Sequence, residues 1–552
     1  MSVDSISSHQ TADREEAGVK NVMTTEEELM AQFGYKQEMN KSLSTLSNFA
    51  VAFGCCSILS GLTPLWGDAM MSGGSIAIIE GFLLVAVFTF CVGLSLAEIC
   101  SAFPVTGGLY VWVSKLAPPE WVPLTCYITG WCNWIGLTVA VTSTDLGLAQ
   151  FLSSVISISN PDYNADIYWQ YGIFLVIVFI HGLINSISIK YNGMFNNVSL
   201  FWHLIGTLMI VIVALVLTPN KASGKWVFTY FENDTGFKSD GYAFLIGLLQ
   251  SQYTLSGFDS AAQMSEETKD AARNAPKGIL YAVGTAGVFG FIFLLAVNFC
   301  VQDFQAQVVE SAITPQMTKV FLDGVGYNWT IVFTVIIMGA MFFCGSALVL
   351  GSSRLVYAFS RDRAMPFSSY LSQINHKTKT PVYAVWGNVI FAAVIGILYI
   401  LNETAFNAIV SVNTIASSLA YLIPISLRLT VGRKSFQRGP FHLGPFSPVI
   451  NTISCCWIVL TCCLFLCPTQ LPVTADNMNY ACVPLVAVLG GSILFYQFRA
   501  KKYFTGPGKS LEPDPYLDEN VSFNSTDSGD SNDIKKTPVI VEDISKKNTE
   551  QR

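Results

Sequence analysis

The chain has 552 residues, of which 51% are hydrophobic and 12% charged, with a formal net charge of −7 at pH 7. Ordinary soluble domains carry about 25% charged residues, so this composition excludes a soluble globular protein. The hydrophobic residues form twelve apolar stretches. Because about 20 such residues cross a bilayer as one helix, the sequence predicts an all-α polytopic membrane protein with twelve transmembrane helices.

Hydropathy places the predicted spans in chain order, separated mostly by short polar gaps. They are 43–67, 76–99, 124–152, 170–189, 195–218, 241–261, 278–301, 329–353, 382–401, 405–427, 449–467 and 478–498. The polar segment before them lacks the short apolar core of a cleavable signal peptide. The segment after them is rich in Ser, Asp, Asn and Lys, which is typical of disorder. We therefore expect a tail over 1–42, a twelve-helix domain over 43–498 and a disordered tail over 499–552.

The distribution of Lys and Arg predicts which side of the membrane each loop faces. With twelve spans both termini lie on one side, and the loops on that side carry nearly all of the 31 Lys and Arg. The residues left on the other side are Lys221, Lys225, Lys238 and Lys319. Because loops rich in Lys and Arg stay in the cytoplasm, we expect both termini to be cytoplasmic.

Cysteine and histidine do not follow a metal-binding pattern. Nearly all of the 14 Cys lie within spans, where a thiol acts as a small packing group, and the five His are scattered. The sequence also lacks the motifs of zinc proteases, of serine hydrolases and of ATP-driven pumps. It therefore predicts neither an enzyme nor a pump, with no metal and no cofactor.

The first and sixth spans contain Gly and polar residues in mid-membrane. Span one reads FGCCSILSGLTPLWGD (53–68), and span six reads LLQSQYTLSGFDSAAQ (248–263). A membrane helix must satisfy its own backbone, so such residues need a reason. One reason is close helix packing. The other, which we favour, is a pair of discontinuous helices that bind substrate, as in transporters built from two five-helix repeats of opposite topology.

Several motifs carry a resemblance to a known family. Four of them resemble the amino acid–polyamine–organocation superfamily: AEICSAFPVTGGLYVW (97–112), GWCNWIGLTVAVTSTDLGLAQ (130–150), GFDSAAQMSEETKDAARNAPKGI (257–279) and AFSRDRAMPFSSYLSQIN (358–375). Three more are similar to its fungal amino acid/choline transporter branch, which includes GABA permeases. They are EEELMAQFGYKQEMNKSLSTLSNFAVAF (26–53), GPFHLGPFSP (439–448) and PVTADNMNYACV (472–483).

The resemblance implies a fold and a mechanism. The fold has an inverted repeat of spans one to five and six to ten, followed by two C-terminal helices. The mechanism is alternating access, commonly with proton coupling. The sequence departs from the family in span one, where Cys55, Cys56 and SILSGL replace the common Gly-Ser-Gly break. Two placements of that break stay open, one over 59–61 and one over 57–60.

The candidate substrate-binding residues come from the two breaks. They are Ser57, Leu59, Ser60 and Gly61 in span one, and Tyr253, Thr254, Ser256, Gly257 and Phe258 in span six. An aromatic ring face attracts an ammonium group by about 0.5–2 kcal/mol, so the two aromatic residues are candidates for stacking over an amine or for gating. Packing is the alternative role of both.

Three acidic residues are candidates for coupling or gating. A carboxylate in mid-membrane costs about 2.5–3.5 kcal/mol on insertion scales, which favours a functional role for Asp259 first and for Asp145 second. A structural pairing is the alternative for each. Glu98 ends span two and is expected to pair with a Lys or Arg at the inner face. The cluster after span six forms either inner-gate salt bridges or a solvated face; it contains Glu266, Glu267, Lys269 and Arg273.

The predicted function is proton-coupled secondary transport of an amino acid such as γ-aminobutyric acid (GABA). Carriers of choline, polyamines or thiamine are the alternative, and a nutrient sensor that does not transport is a hypothesis of another class. The predicted partners are a small-molecule substrate, a proton and membrane lipid, with no nucleic acid. The resemblance favours the plasma membrane, with a vacuolar or other internal membrane as the alternative.

Overall fold

The computed structural model of the protein describes residues 39, 41–160, 163, 166–401, 405–474 and 478–508. The two predicted tails lie mostly outside these residues. Within them the fold is all-helical. The helices are α1 (Thr45–Cys55), α2 (Ile58–Leu62), α3 (Trp66–Ala102), α4 (Leu109–Leu116), α5 (Val122–Ser159), α6 (Ile167–Asn185), α7 (Ile189–Leu217), α8 (Gly224–Thr229), α9 (Asp240–Thr254), α10 (Ser260–Gln263), α11 (Ala271–Phe299), α12 (Met317–Val325), α13 (Tyr327–Arg361), α14 (Ser368–Leu371), α15 (Val382–Leu401), α16 (Ala405–Leu429), α17 (Ser447–Leu464) and α18 (Cys482–Phe498).

In the described part of the chain, ten stretches are long and apolar enough to cross a membrane. They are α1 and α2 taken together, α3, α5, α6, α7, α11, α13, α15, α16 and the stretch Gly444–Leu464 that contains α17. The predicted twelfth span is the shorter apolar helix α18, of 17 residues. The predicted sixth span is not continuous, because α9 ends after 15 residues and only the four-residue α10 follows its break.

The boundary between the first two predicted spans is a kink inside α3. Gly73 and Gly74 have non-helical backbone angles, and Gly74 has a φ of +60°. A Cβ on Gly74 would lie 2.8 Å from the carbonyl oxygen of Tyr230, so the position requires glycine both for its φ and for space. The predicted spans 43–67 and 76–99 therefore meet within α3, on either side of this kink.

Burial separates central helices from peripheral ones. In the most apolar part of α5, 89% of residues are buried inside the protein, whereas the corresponding value for α6 is 33%. Helix α5 packs against α13 and α16, and α3 packs against α9 and α11. Helices α6, α7 and α15 instead expose large apolar side chains, including Val176, Ile205 and Ile390. Such an apolar outer surface suits lipid contact.

Candidate functional site

The first break lies at Cys56 and Ser57, between α1 and α2. The hydroxyl oxygen of Ser57 accepts a hydrogen bond from the backbone N–H of Ser60 at 3.3 Å, which caps the start of α2. The placement over 59–61 is therefore wrong, because those residues lie inside α2. The other placement, over 57–60, begins at Ser57 in the break. Hydropathy could not separate the two, since apolar residues occur on both sides of the cap.

The second break lies where the sequence predicted it, between α9 and α10. Helix α9 ends at Thr254, and Gly257 in the break has a φ of +80°, which favours glycine. The two breaks touch each other. The thiol of Cys56 donates to the carbonyl oxygen of Ser256 at 3.0 Å, and a Cβ on Gly257 would lie 3.2 Å from Cβ of Cys55.

A cavity with about 250 Å³ of empty space lies between the breaks. Six predicted residues line it: Ser57, Ser60, Gly61, Tyr253, Thr254 and Ser256. The rest of the lining was not predicted from the sequence; it is Cys55, Ala140, Thr144, Cys344, Leu348 and Asn413. Three predicted residues do not line it, because Leu59, Gly257 and Phe258 pack elsewhere in the break regions. The lining is made of hydroxyl, thiol, amide and apolar groups and contains no charged side chain.

Two lining side chains are placed to meet a ligand. The Tyr253 hydroxyl is bonded to the Ser143 hydroxyl at 2.9 Å, which fixes the ring at the cavity wall. Asn413 is 1% exposed, and its Nδ2 has no hydrogen-bond partner among the described residues. A buried amide without a partner costs about 1–3 kcal/mol, so a ligand oxygen that accepts from it would be stabilised. A single Asn in a predicted span carried no pattern that could have identified it.

A buried histidine of α7 forms a hydrogen bond with the Ser57 side chain. The Ser57 hydroxyl donates to Nε2 of His203 at 2.6 Å, while Nδ1 of His203 donates to the backbone carbonyl of Ser199 at 2.8 Å. Both side chains are buried. The second bond fixes the histidine tautomer, and the first then fixes the serine at the break. His203 is one of five histidines scattered along the sequence, and no motif predicted its contact with Ser57.

The predicted coupling residues Asp259 and Asp145 are fully buried, yet neither lines the cavity. One carboxylate oxygen of Asp259 accepts from the Tyr421 hydroxyl at 2.7 Å, and the other accepts from Nε2 of Gln263 at 3.4 Å. Asp145 lies 3.1 Å from Nδ1 of His181 on α6. No sequence pattern indicated the partners of Asp259 or Asp145.

Glu98 is buried at the predicted cytoplasmic end of α3. Its oxygens accept from the Ser447 hydroxyl at 2.6 Å and from the backbone N–H of Leu443 at 3.1 Å, and Arg428 lies 3.7 Å away. The expected pairing with a basic residue is therefore present. The carboxylate joins α3 to the segment before α17, away from the cavity.

The charged cluster after α10 separates into two parts. Glu267 and Glu266 are buried and pair with Arg354 at 3.3 Å and with Arg361 at 3.2 Å. Burial raises the pKa of the Glu267 carboxyl above its ordinary value, and the Arg354 guanidinium opposes that shift. The predicted salt bridges are thus present for the two glutamates. The solvated alternative holds for Lys269 and Arg273, which are exposed.

A second cavity, with about 530 Å³ of empty space, is lined by Asp68 of α3, Gln250 of α9 and Asn407 of α16, together with residues of two loops. Gln250 lies one helical turn from Thr254, which lines the central cavity. The two cavities are therefore separated by about one turn of α9.

Two interrupted helices that meet at a polar cavity inside an all-helical bundle define a polytopic membrane transporter. Residues 43–489 match the family described as "Amino acid permease". The chain belongs to this amino acid permease family, within the amino acid–polyamine–organocation superfamily, whose members are transporters and not enzymes. This confirms the predicted superfamily and the predicted absence of enzymatic activity.

Curated relatives extend over most of the chain. "Amino-acid permease BAT1" of Arabidopsis thaliana is 36% identical, covering 88% of this chain and 97% of its own. The "GABA-specific permease" of Saccharomyces cerevisiae is 28% identical, covering 89% and 87%. The "Choline transporter" of the same yeast is 30% identical, covering 84% and 83%. The relatives therefore include both plant and fungal proteins.

Proposed function

We propose that this protein is a secondary transporter of a zwitterionic amino acid such as GABA, working by alternating access with proton coupling. The observation that supports this substrate class is the uncharged polar lining of the central cavity. A zwitterion has no net charge and can be held by dipoles alone. A bare cation such as choline or a polyamine would favour a carboxylate in the cavity wall, and neither Asp145 nor Asp259 lines it.

The two ends of a zwitterion find different partners in this cavity. A substrate carboxylate can accept from Nδ2 of Asn413, which is buried and has no hydrogen-bond partner among the described residues. A substrate ammonium can face the Tyr253 ring and the hydroxyl oxygens of Ser57 and Ser60. In this proposal Leu59, Gly257 and Phe258 shape the breaks without touching the substrate.

Alternating access requires that one end of the path closes while the other opens. The buried pairs of Glu266 and Glu267 are proposed to close the cytoplasmic end, with Glu98 holding α3 against the start of α17. The proposed topology has twelve spans, a five-plus-five inverted repeat with two further helices, and both termini in the cytoplasm. The matching positions of the breaks in spans one and six support the repeat. We also propose that the protein is of fungal origin and lies in the plasma membrane.

Uptake into liposomes tests the proposal. The purified protein is supplied with radiolabelled GABA, a neutral amino acid, choline, putrescine or thiamine, with and without an inward proton gradient. We expect a zwitterion to be concentrated inside, and a protonophore to abolish the gradient-driven part. Concentration of choline, putrescine or thiamine alone would overturn the substrate class. Binding without uptake of any compound would indicate the sensor instead.

A further inference from the structure

A pair of titratable side chains, Asp145 and His181, lies beside the central cavity. Nδ1 of His181 on α6 and Oδ2 of Asp145 on α5 are 3.1 Å apart, and both side chains are 0% exposed. Oδ1 of Asp145 and Nε2 of His181 have no hydrogen-bond partner within the described ranges. Each member of the pair therefore has one bonded polar atom and one unpartnered polar atom.

Helix α13 approaches this pair at Gly345. A Cβ on Gly345 would lie within 3 Å of both Asp145 and His181, so the pair occupies the space beside that glycine. The preceding residue, Cys344, and the residue before the aspartate, Thr144, both line the central cavity. The pair thus lies immediately behind the cavity wall.

The charge around the pair is set by few groups. The titratable side chains that interact electrostatically with Asp145 are His181, Tyr253 of α9 and Cys344 of α13, and the last two are neutral at working pH. The Lys and Arg of the packed helices do not balance the carboxylate. Arg354 and Arg361 of α13 pair with Glu267 and Glu266, Arg428 of α16 pairs with Glu98, and Lys190 of α7 is exposed. A buried carboxylate beside a neutral imidazole keeps an uncompensated negative charge, and one added proton removes it.

We propose that Asp145 and His181 together bind the coupling proton. In the unloaded pair the Nδ1–H of His181 donates to ionised Asp145, and the incoming proton is bound by Nε2 of His181. The product is a neutral ion pair of imidazolium and carboxylate. Asp259 is instead a positioning residue, because both of its oxygens already accept from protein donors. This inference rests on the proposed proton-coupled transport.

The test separates coupling from substrate movement. Wild type, Asp145→Asn, His181→Gln and Asp259→Asn are reconstituted, and two quantities are measured with radiolabelled GABA or whichever of the five compounds wild type concentrates. One is accumulation driven by a proton gradient. The other is exchange of labelled for unlabelled compound without a gradient, between about pH 5.5 and pH 8. Exchange needs substrate binding and the conformational change but no net proton movement.

We expect Asp145→Asn and His181→Gln to lower gradient-driven accumulation at least tenfold, to the level of equilibration, while exchange continues and becomes independent of pH. Asp259→Asn is expected to keep the coupling of accumulation to the gradient. Accumulation that persists in both pair variants would overturn the assignment. Loss of exchange together with accumulation would also overturn it, since the pair would then be structural. Wild type that concentrates none of the compounds would contradict the proposed function itself.

Discussion

Replacing Gly61 with alanine is expected to lower uptake at least tenfold. A Cβ on Gly61 would lie 2.5 Å from Oγ1 and 2.7 Å from Cα of Thr254, so the two broken helices approach each other through this glycine. The Thr254 backbone cannot rotate away as a flexible side chain can, and overpacking of this kind costs about 1–3 kcal/mol. We expect the added methyl group to separate α2 from α9 and to distort the cavity between them. Initial uptake rates in liposomes, corrected for the amount of protein inserted, measure the effect.

Gly172→Ala is the matched control for this substitution. Gly172 lies in α6, and an added Cβ there would meet no atom within 4 Å. The same chemical change should leave uptake within about a factor of two of wild type, because alanine is also the better helix former. Gly61→Ala with at least half of the wild-type rate would show that the close approach of the two breaks is not required.

Arg354→Met is expected to destabilise the protein strongly. The Arg354 side chain is 0% exposed and pairs with Glu267, which is 1% exposed, at 3.3 Å. Removing one member of a buried pair leaves the other charge uncompensated, at a cost of about 3–5 kcal/mol. The melting temperature of the purified protein in detergent measures the loss.

Two further variants test whether the unpaired Glu267 carboxylate causes the loss of melting temperature in Arg354→Met. Combining Arg354→Met with Glu267→Gln removes both charges, so the double variant should recover part of the lost melting temperature. Lys319→Met removes a partner from an exposed pair with Asp323, which is worth about 1 kcal/mol or less, and should change little. An equal loss in the double variant would indicate that arginine packing, and not the unpaired carboxylate, stabilises this end of the protein.

Hydropathy predicted the all-helical bundle, and glycine position predicted the break in span six. Of the twelve predicted spans, ten are long and apolar enough to cross a membrane in the described part of the chain. Gly257 needed a left-handed backbone, so its residue type marked the second break. Gly61 is required by the close approach of Thr254, but it lies inside α2 and does not mark the first break. The sixth predicted span shows the limit of hydropathy. Its composition resembled a continuous span, although the helix stops at Thr254 and resumes only as a short turn.

Partners that are distant in sequence could not be predicted. Asp145 and His181 are 36 positions apart, and Ser57 and His203 are 146 positions apart, so no spacing rule joins them. A buried histidine in an apolar span has the same local sequence whether it faces a carboxylate, a serine or lipid. The ambiguity over Glu266 and Glu267 had the same origin, because their arginine partners come from α13.

Native cysteines allow a direct test of where the substrate binds. Cys55 and Cys344 line the central cavity, whereas Cys463 is an exposed residue of α17 that does not line it. The protein is treated with a small methanethiosulfonate reagent, with and without the transported compound, and modification at each cysteine is quantified by peptide mass spectrometry. If substrate occupies the cavity between the two breaks, it should slow the modification of Cys55 and Cys344 and leave Cys463 unchanged. Equal modification of the two cavity cysteines with and without a saturating transported compound would contradict this location of the binding site.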